Sequence, residues 1–343
     1  MIALPENISP LLICRPSVMV TGFLGAGKTT FLRALLVALH HRHIAADVIL
    51  NDYENAEIDA GTLREAAATV EALAASCACC DGLAPLVDLA VASGRSVNDL
   101  LVIELNGTAD PLPLLESFTL LESRLRFRPR WQVCVLDARQ FSHRESYGPL
   151  EQLQLGTASH FMLGHAENLT NLQRQILLER VRAVNPKASE TTPEAMAESL
   201  AQVLARDQRL LLRRSQTSTN SLFSGPQCRG SRLAHEFTGC QIFLPTPVKR
   251  DAMWAWLAAL PADVIRAKAL VTVVGEPGVR RLFERVGLEL MGDPMEVPIS
   301  QKVPATGICI GPDLDPVEIL ALAIREFGAE CSLTPLARDH AHA

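Results

Sequence analysis

Three stretches of the chain gather residue types that could do chemistry. The first is "TGFLGAGKTT", residues 21–30, which fits the pattern G-x-x-x-x-G-K-T. Gly22, Gly25, Ala26 and Gly27 would let backbone N–H groups crowd around an anion; Lys28 would then reach the β and γ phosphates, and Thr29, followed by Thr30, would offer a hydroxyl to Mg²⁺. A glycine turn that only joined a strand to a helix would not account for Lys28 and Thr29. The second stretch is "DLLVIELNGTADP". It sets Glu104 just past an apolar run, where a carboxylate can hold Mg²⁺ directly or through water, and Gly107 where the chain must pass close to a γ-phosphate. A solvated glutamate at a strand end is the plainer alternative for Glu104. The third is "SCACC", residues 76–80. A structural zinc cage wants four ligands, usually as two separated pairs, and no second C-x-x-C occurs, so Cys77, Cys79 and Cys80 make an incomplete cage with a position open to an acceptor or a carboxylate. In an extended segment Cys77 and Cys79 share a side and Cys80 faces away, unless the loop bends to recruit it. Thiolates favour Zn²⁺ or Cu⁺ over Mg²⁺, and Co²⁺ and Ni²⁺ lie within range. A buried apolar thiol cluster and a low-pKa redox thiol are the competing readings.

These residues need a frame. "SVMV", the glycine turn and "FLRALLVALHH" read as strand, loop and amphipathic helix, the context a phosphate-binding loop requires. Further apolar runs at "ADVILN", "DLLVIEL", "WQVCVLD" and "HFMLG" are spaced by lengths suited to helices, which predicts a doubly wound α/β domain with parallel strands. The Ser-, Thr-, Gly- and Pro-rich stretch "SQTSTNSLFSGPQCRGS" predicts a boundary. The expected organisation is a nucleotide-binding domain over 1–214, a linker over 215–232, a smaller α+β domain over 233–330 and a tail over 331–343. In the smaller domain, Trp254 and Trp256 stand two apart on a helix and read as an exposed-and-buried pair, one of which could face a partner, with core packing the stronger expectation.

With 343 residues the chain is long enough for two cores. Its formal charge of −6 argues against a broad attraction to nucleic acid or anionic lipid. "RLRFRPR" is the main basic run, and its alternation with apolar residues reads as a solvated strand edge. No run is apolar enough over 18 to 20 residues for a membrane span, and the N-terminal arm, broken by Pro5 and Pro10, lacks a signal-peptide pattern. The expected location is the cytoplasm, where the nine cysteines stay reduced. Cys14, Cys134, Cys228, Cys240, Cys309 and Cys331 lie singly and read as structural. His40, His41 and His43 close the first predicted helix, where helix capping is a better explanation than metal binding.

"TGFLGAGKTT", "NDYENAEIDA", "CACC", "ELNGTADP" and "VRAVNPKA" occur in the order and at roughly the spacing of the CobW-type P-loop GTPases, which the chain resembles. "FTGCQIFLPTPVKRDAMWAWLAALPADVIRAKALV" and "GICIGPDLD" are similar to that family's C-terminal domain, with Arg266 and Lys268 in its R-x-K segment. The resemblance implies a GTPase that binds a transition metal, Zn²⁺ or Co²⁺, and passes it to an apo-metalloprotein acceptor, with hydrolysis timing the transfer. A nucleotide-binding module of the same fold without turnover is the rival reading. The resemblance also makes "NDYENAEIDA" a first switch that brings Asp52, Glu54, Glu57 and Asp59 near Mg²⁺ and the attacking water, Asp52 and Asp59 foremost. Glu54 stands where the family usually has Gly, and Ser76 replaces a Gly ahead of the cysteines. The sharpest departure is at the base-reading motif N-K-x-D, here Gly164, His165, Ala166 and Glu167. Glu167 keeps a carboxylate, Gly164 and His165 lose two braces, and the expectation is a preference for GTP over ATP weaker than in relatives.

Overall fold

The computed structural model describes residues 14–51, 69–72, 83–121, 125, 127–144, 146–216, 237–298, 304–312 and 314–333. The chain divides into two compact units, one of residues 1–114 with 121–236, the other of residues 115–120 with 237–343.

The first unit is built on a seven-stranded parallel sheet. Its elements run β1 (Arg15–Thr21), α1 (Lys28–His40), β2 (Ala46–Asn51), β3 (Thr69–Ala72), α2 (Leu83–Ser93), β4 (Leu100–Leu105) and the start of α3 (Leu112–Leu120), whose residues 115–120 belong to the second unit. They continue through β5 (Phe127–Asp137), α4 (Gly148–Gly156), β6 (His160–Gly164), α5 (Asn171–Val184), β7 (Ser189–Glu190) and α6 (Pro193–Gln216). The strand order is β3-β2-β4-β1-β5-β6-β7. All four strands expected after the glycine turn are present and parallel. β1, β2 and β4 are buried along their whole length, as continuous apolar runs covered on both faces should be. α1 turns Phe31, Leu32, Leu35, Leu36 and Leu39 into the core, where Met196, Ala197 and Leu200 of α6 join them. Thr170 and Gln173 close the start of α5 with a reciprocal capping box.

The register matters for chemistry. Glu104 lies between Val20 of β1 and Leu50 of β2, and Asp137 pairs with Gly164. The loops after β1, β4, β5 and β6 therefore leave the sheet at its carboxyl edge, where open α/β sheets bind their ligands.

The second unit is a five-stranded antiparallel sheet of β8 (Phe237–Phe243), β9 (Arg266–Val271), β10 (Val279–Val286), β11 (Glu289–Pro298) and β12 (Thr306–Pro312), in the order β11-β10-β9-β12-β8. Helices α7 (Arg250–Ala259) and α8 (Pro316–Phe327) complete its core. Trp256 is fully buried, and the half-buried Trp254 stacks edge-on against Phe283 at 4.9 Å. Arg285 is also buried: its guanidinium donates to the carbonyls of Leu257, Leu260 and Pro261 at 3.2, 2.9 and 3.1 Å, capping the negative end of α7. Arg266 and Lys268 both reach Glu116, at 3.2 and 2.8 Å. The strand register also sets Cys240 opposite Cys309, so two thiols that the sequence shows singly are cross-strand neighbours. Burial pushes the Cys240 thiol up to about 12 and Cys309 well above its ordinary value, as expected of inert core residues.

Among the described residues no helix is long and apolar enough to cross a membrane. At the end of α1, His40 lies in the last turn and His41 is the C-cap residue, and Arg42 donates to the Ala38 carbonyl at 3.0 Å.

Candidate functional site

At the carboxyl edge, β1 ends at Thr21 and the chain turns through Gly22, Gly25 and Gly27 with φ of 134°, 74° and 101°, values open to glycine and strained for other residues. Ala26 N–H closes the turn on the Phe23 carbonyl at 3.2 Å, and α1 begins directly at Lys28. The unpaired amides of the first helical turn and the positive end of its dipole thus meet the concave side of the loop. Lys28 is buried and folds back along the loop, its Nζ donating to the Phe23 carbonyl at 3.4 Å. Thr29 Oγ1 donates to Glu104 Oε1 at 3.1 Å. A buried carboxylate and a hydroxyl so placed form the hard-oxygen pair that suits Mg²⁺. Thr30 is exposed on the first turn.

The loop after β4 touches the phosphate-binding loop. A Cβ on Gly107 would stand 2.6 Å from the backbone nitrogen of Leu24, so only a glycine allows this approach. Asn106 Oδ1 accepts from Thr108 N and Oγ1, both at 2.9 Å, and holds the turn.

On the side of the β6 loop, Gly164 runs so close to Ala26 that a Cβ would lie 2.2 Å from its carbonyl oxygen. His165 follows with φ of 57° and sets Nε2 3.0 Å from the Gly25 carbonyl. A carbonyl can only accept, so Nε2 carries the proton. The expectation that this loop loses both braces is therefore corrected in part: His165 holds the phosphate-binding loop directly, and Gly164 is bare because the backbones meet there. Glu167 is exposed.

Sequence reasoning missed a polar group beside this loop. Asp137, at the end of β5, takes Arg139 at 3.0 Å and Arg144 at 3.4 Å. Burial alone would raise the Asp137 carboxyl, but the hydrogen bonds and charge of Arg139 outweigh it and hold it below its ordinary value. Arg144 also pairs with Glu151 at 3.2 Å and lies 4.4 Å over the Phe23 ring, which packs against Tyr147 at 4.9 Å. Burial, helped by the nearby Asp137 charge and opposed by Arg144, pushes the Glu151 carboxyl up. No spacing pattern ties these residues together in the sequence; the "D-A-R" after a β5 apolar run was the available signal.

Asp52, Glu54, Glu57, Asp59, Cys77, Cys79 and Cys80 lie outside the described residues. Among the described residues no group of three or more His, Cys, Asp or Glu side chains could hold a metal ion.

Comparison with known proteins adds the following. Residues 16–192, slightly more than half of the chain, match the model of the CobW/HypB/UreG nucleotide-binding domain, and residues 237–323 match that of the cobalamin synthesis protein cobW C-terminal domain. The zinc chaperone YjiA of Escherichia coli is 31% identical over 178 residues, covering 50% of this chain and 54% of that protein. The zinc chaperone CobW of Pseudomonas aeruginosa is 31% identical over 200 residues, covering 55% and 52%. The chain thus spans about half the length of these curated relatives. Among solved structures, the Zn(II)-bound YjiA GTPase from E. coli matches over 90% of this chain and 98% of its own, at 20% identity and a TM-score of 0.41, a likeness at which no residue role transfers.

Proposed function

The chain belongs to the CobW/HypB/UreG nucleotide-binding family, and on that premise we propose that it hydrolyses a nucleoside triphosphate, GTP in preference, to time delivery of a transition metal ion to an apo-metalloprotein acceptor. The observation that carries the hydrolytic part is the Thr29–Glu104 contact at 3.1 Å beside a buried Lys28 at the start of α1. Lys28 and the loop amides neutralise the β and γ phosphates, and Gly107 brings a backbone N–H towards the γ-phosphate end. Mg²⁺, held by Thr29 and Glu104, supplies charge neutralisation on the phosphate oxygens when bound. Asp52 and Asp59 are assigned to the switch that orients water, by resemblance. Glu167 reads the base, with His165 fixing its loop to Gly25.

The metal is cargo. Cys77 and Cys79, with Cys80 as the third thiolate, hold it, and Zn²⁺ is the first choice, in keeping with the softness of the ligands and with relatives called zinc chaperones. Nucleotide and metal should then be linked, each tightening the other by the same factor.

Phosphate release from GTP and from ATP, with and without Zn²⁺ or Co²⁺, tests the enzyme against a Lys28→Ala control. Release above the control with GTP is expected; none with either nucleotide would favour a module that binds without turnover. Zn²⁺ titration against a chelator should show loss of tight binding in the Cys77→Ser/Cys79→Ser double variant. Equal affinity with GDP, GTP and no nucleotide would remove the linkage.

A further inference from the structure

Beneath the loop that carries Gly107 lies a glutamine that no motif announces. Gln154, on α4, is 1% exposed and donates through Nε2 to two backbone carbonyls of that loop, Gly107 at 3.2 Å and Ala109 at 3.0 Å. Both partners can only accept, so the amide nitrogen must face them and the orientation of the side chain is fixed. Its Oε1 is buried and has no partner among the described residues. Burying an amide oxygen without a partner is unfavourable, a penalty an apolar side chain would avoid. What the side chain contributes here is the two hydrogen bonds from its nitrogen.

Its base is anchored on both sides. Gln132, on β5 and equally buried, donates through Nε2 to the Gln154 carbonyl at 3.0 Å and to Thr21 Oγ1, at the start of the phosphate-binding loop, at 3.1 Å. Asn185, from the "VRAVNPKA" segment, donates through Nδ2 to the carbonyls of Leu155 at 2.8 Å and Ala158 at 2.9 Å, at the end of the same helix. The Gly107 loop is therefore held between Leu24 on one side and Gln154 on the other. The path from Thr21 through Gln132 and Gln154 to Gly107 ties the two phosphate-facing loops together behind the site.

We infer that Gln154 is a positioning residue for nucleotide hydrolysis, fixing the Gly107–Ala109 backbone before the γ-phosphate arrives so that the Gly107 N–H needs no reorganisation in the transition state. The inference rests on the hydrolytic reading above. Such a residue acts on kcat and leaves ground-state binding alone, whereas a merely structural one would move the thermal midpoint and leave turnover per folded molecule unchanged.

The experiment measures kcat, KM for GTP and affinity for fluorescent GDP in the intact chain and in two variants. Gln154→Met keeps the volume and removes both donors; kcat should fall about tenfold or more, with KM and GDP affinity within about twofold. Gln154→Glu at neutral pH or above turns a carboxylate towards two carbonyls and should lose at least as much. Burial favours its neutral form, which regains one O–H donor, so the ratio of variant to wild-type kcat should climb as the pH falls towards about 5.5. A Gln154→Met kcat within about twofold of wild type, or a Gln154→Glu ratio flat with pH, overturns the positioning role. If the Met variant does not fold, the Glu ratio alone decides. Wild type no faster than Lys28→Ala overturns the hydrolytic reading itself, and this inference with it; the wild-type arm separates the two failures.

Discussion

The two edges of the parallel sheet bury polar groups to opposite ends. At the amino edge, Arg15 pairs with Asp47 at 2.7 Å and donates to the carbonyls of Leu100 and Ser93. Asp47 in turn accepts from Thr69, Asn98 and Ser93. Apart from Arg15 Nε, the polar atoms of this pair are matched. At the carboxyl edge the matching stops short. Among the described residues, both side-chain polar atoms of the fully buried Asn51 lack a partner, as do the buried side-chain oxygens Gln132 Oε1, Gln154 Oε1 and Glu151 Oε2. One edge spends its polar groups on holding four strand starts together, and the other keeps capacity in hand beside the loops that face phosphate. Buried charge alone does not mark a site; incomplete pairing beside an open loop does.

The comparison breaks most visibly at Asp47. Asp47→Ala leaves Arg15 buried without its counter-charge and should cost about 3–5 kcal/mol in urea unfolding, while nucleotide affinity of the folded chain stays unchanged. The same group makes a pH prediction. Burial works to raise its carboxyl, but bonds from Thr69, Asn98 and Arg15 win and hold it below the ordinary value of 3.8. Its contribution to stability is therefore present above that value and fades as the pH falls through the lower folded one. The stability gap between wild type and Asp47→Asn should be constant from about pH 7 to 5 and shrink below about pH 4. A gap that closed already at pH 6, or a loss of nucleotide binding with no loss of stability, would erase the distinction between the edges.

The second break is at the other edge. Glu104→Gln should lower hydrolysis about 100-fold or more with little change in the unfolding midpoint, since the residue is held for what binds there. A destabilisation as large as that of Asp47→Ala, with turnover intact, would make Glu104 one more structural carboxylate.

The smallest effect sharpens the comparison within the carboxyl edge. Loss of one hydrogen bond in His165→Ala should weaken fluorescent GDP binding about fivefold, and His165→Lys, which can reach the same carbonyl, should restore most of it. Identical affinity in all three would show that the bond to Gly25 contributes nothing to nucleotide binding.

Much of this frame was legible because it is local in the chain. The glycine turn, Lys28 and Thr29 sit within eight residues, and the strands announce themselves as unbroken apolar runs. What escaped was non-local. Gln154 reads as one polar residue on "GPLEQLQLG", and its partners Gly107 and Ala109 stand 47 and 45 residues earlier, brought to it only by the crossover that places α4 behind the loop. Cys240 and Cys309 likewise become neighbours through antiparallel register. His165 reads in the sequence as a lost brace, whereas its positive φ turns the ring onto Gly25, a backbone feature that residue type alone does not disclose.

The close pass of Gly164 over the Ala26 carbonyl bears on engineering as much as on binding. An asparagine put back at position 164 to rebuild N-K-x-D would drive its first side-chain carbon to 2.2 Å from that oxygen. The substitution would distort the phosphate-binding loop before its amide could brace anything. Repair of the base motif one residue at a time is closed at its first letter; a redesign has to move the end of β6 outward first, and only then change the side chain.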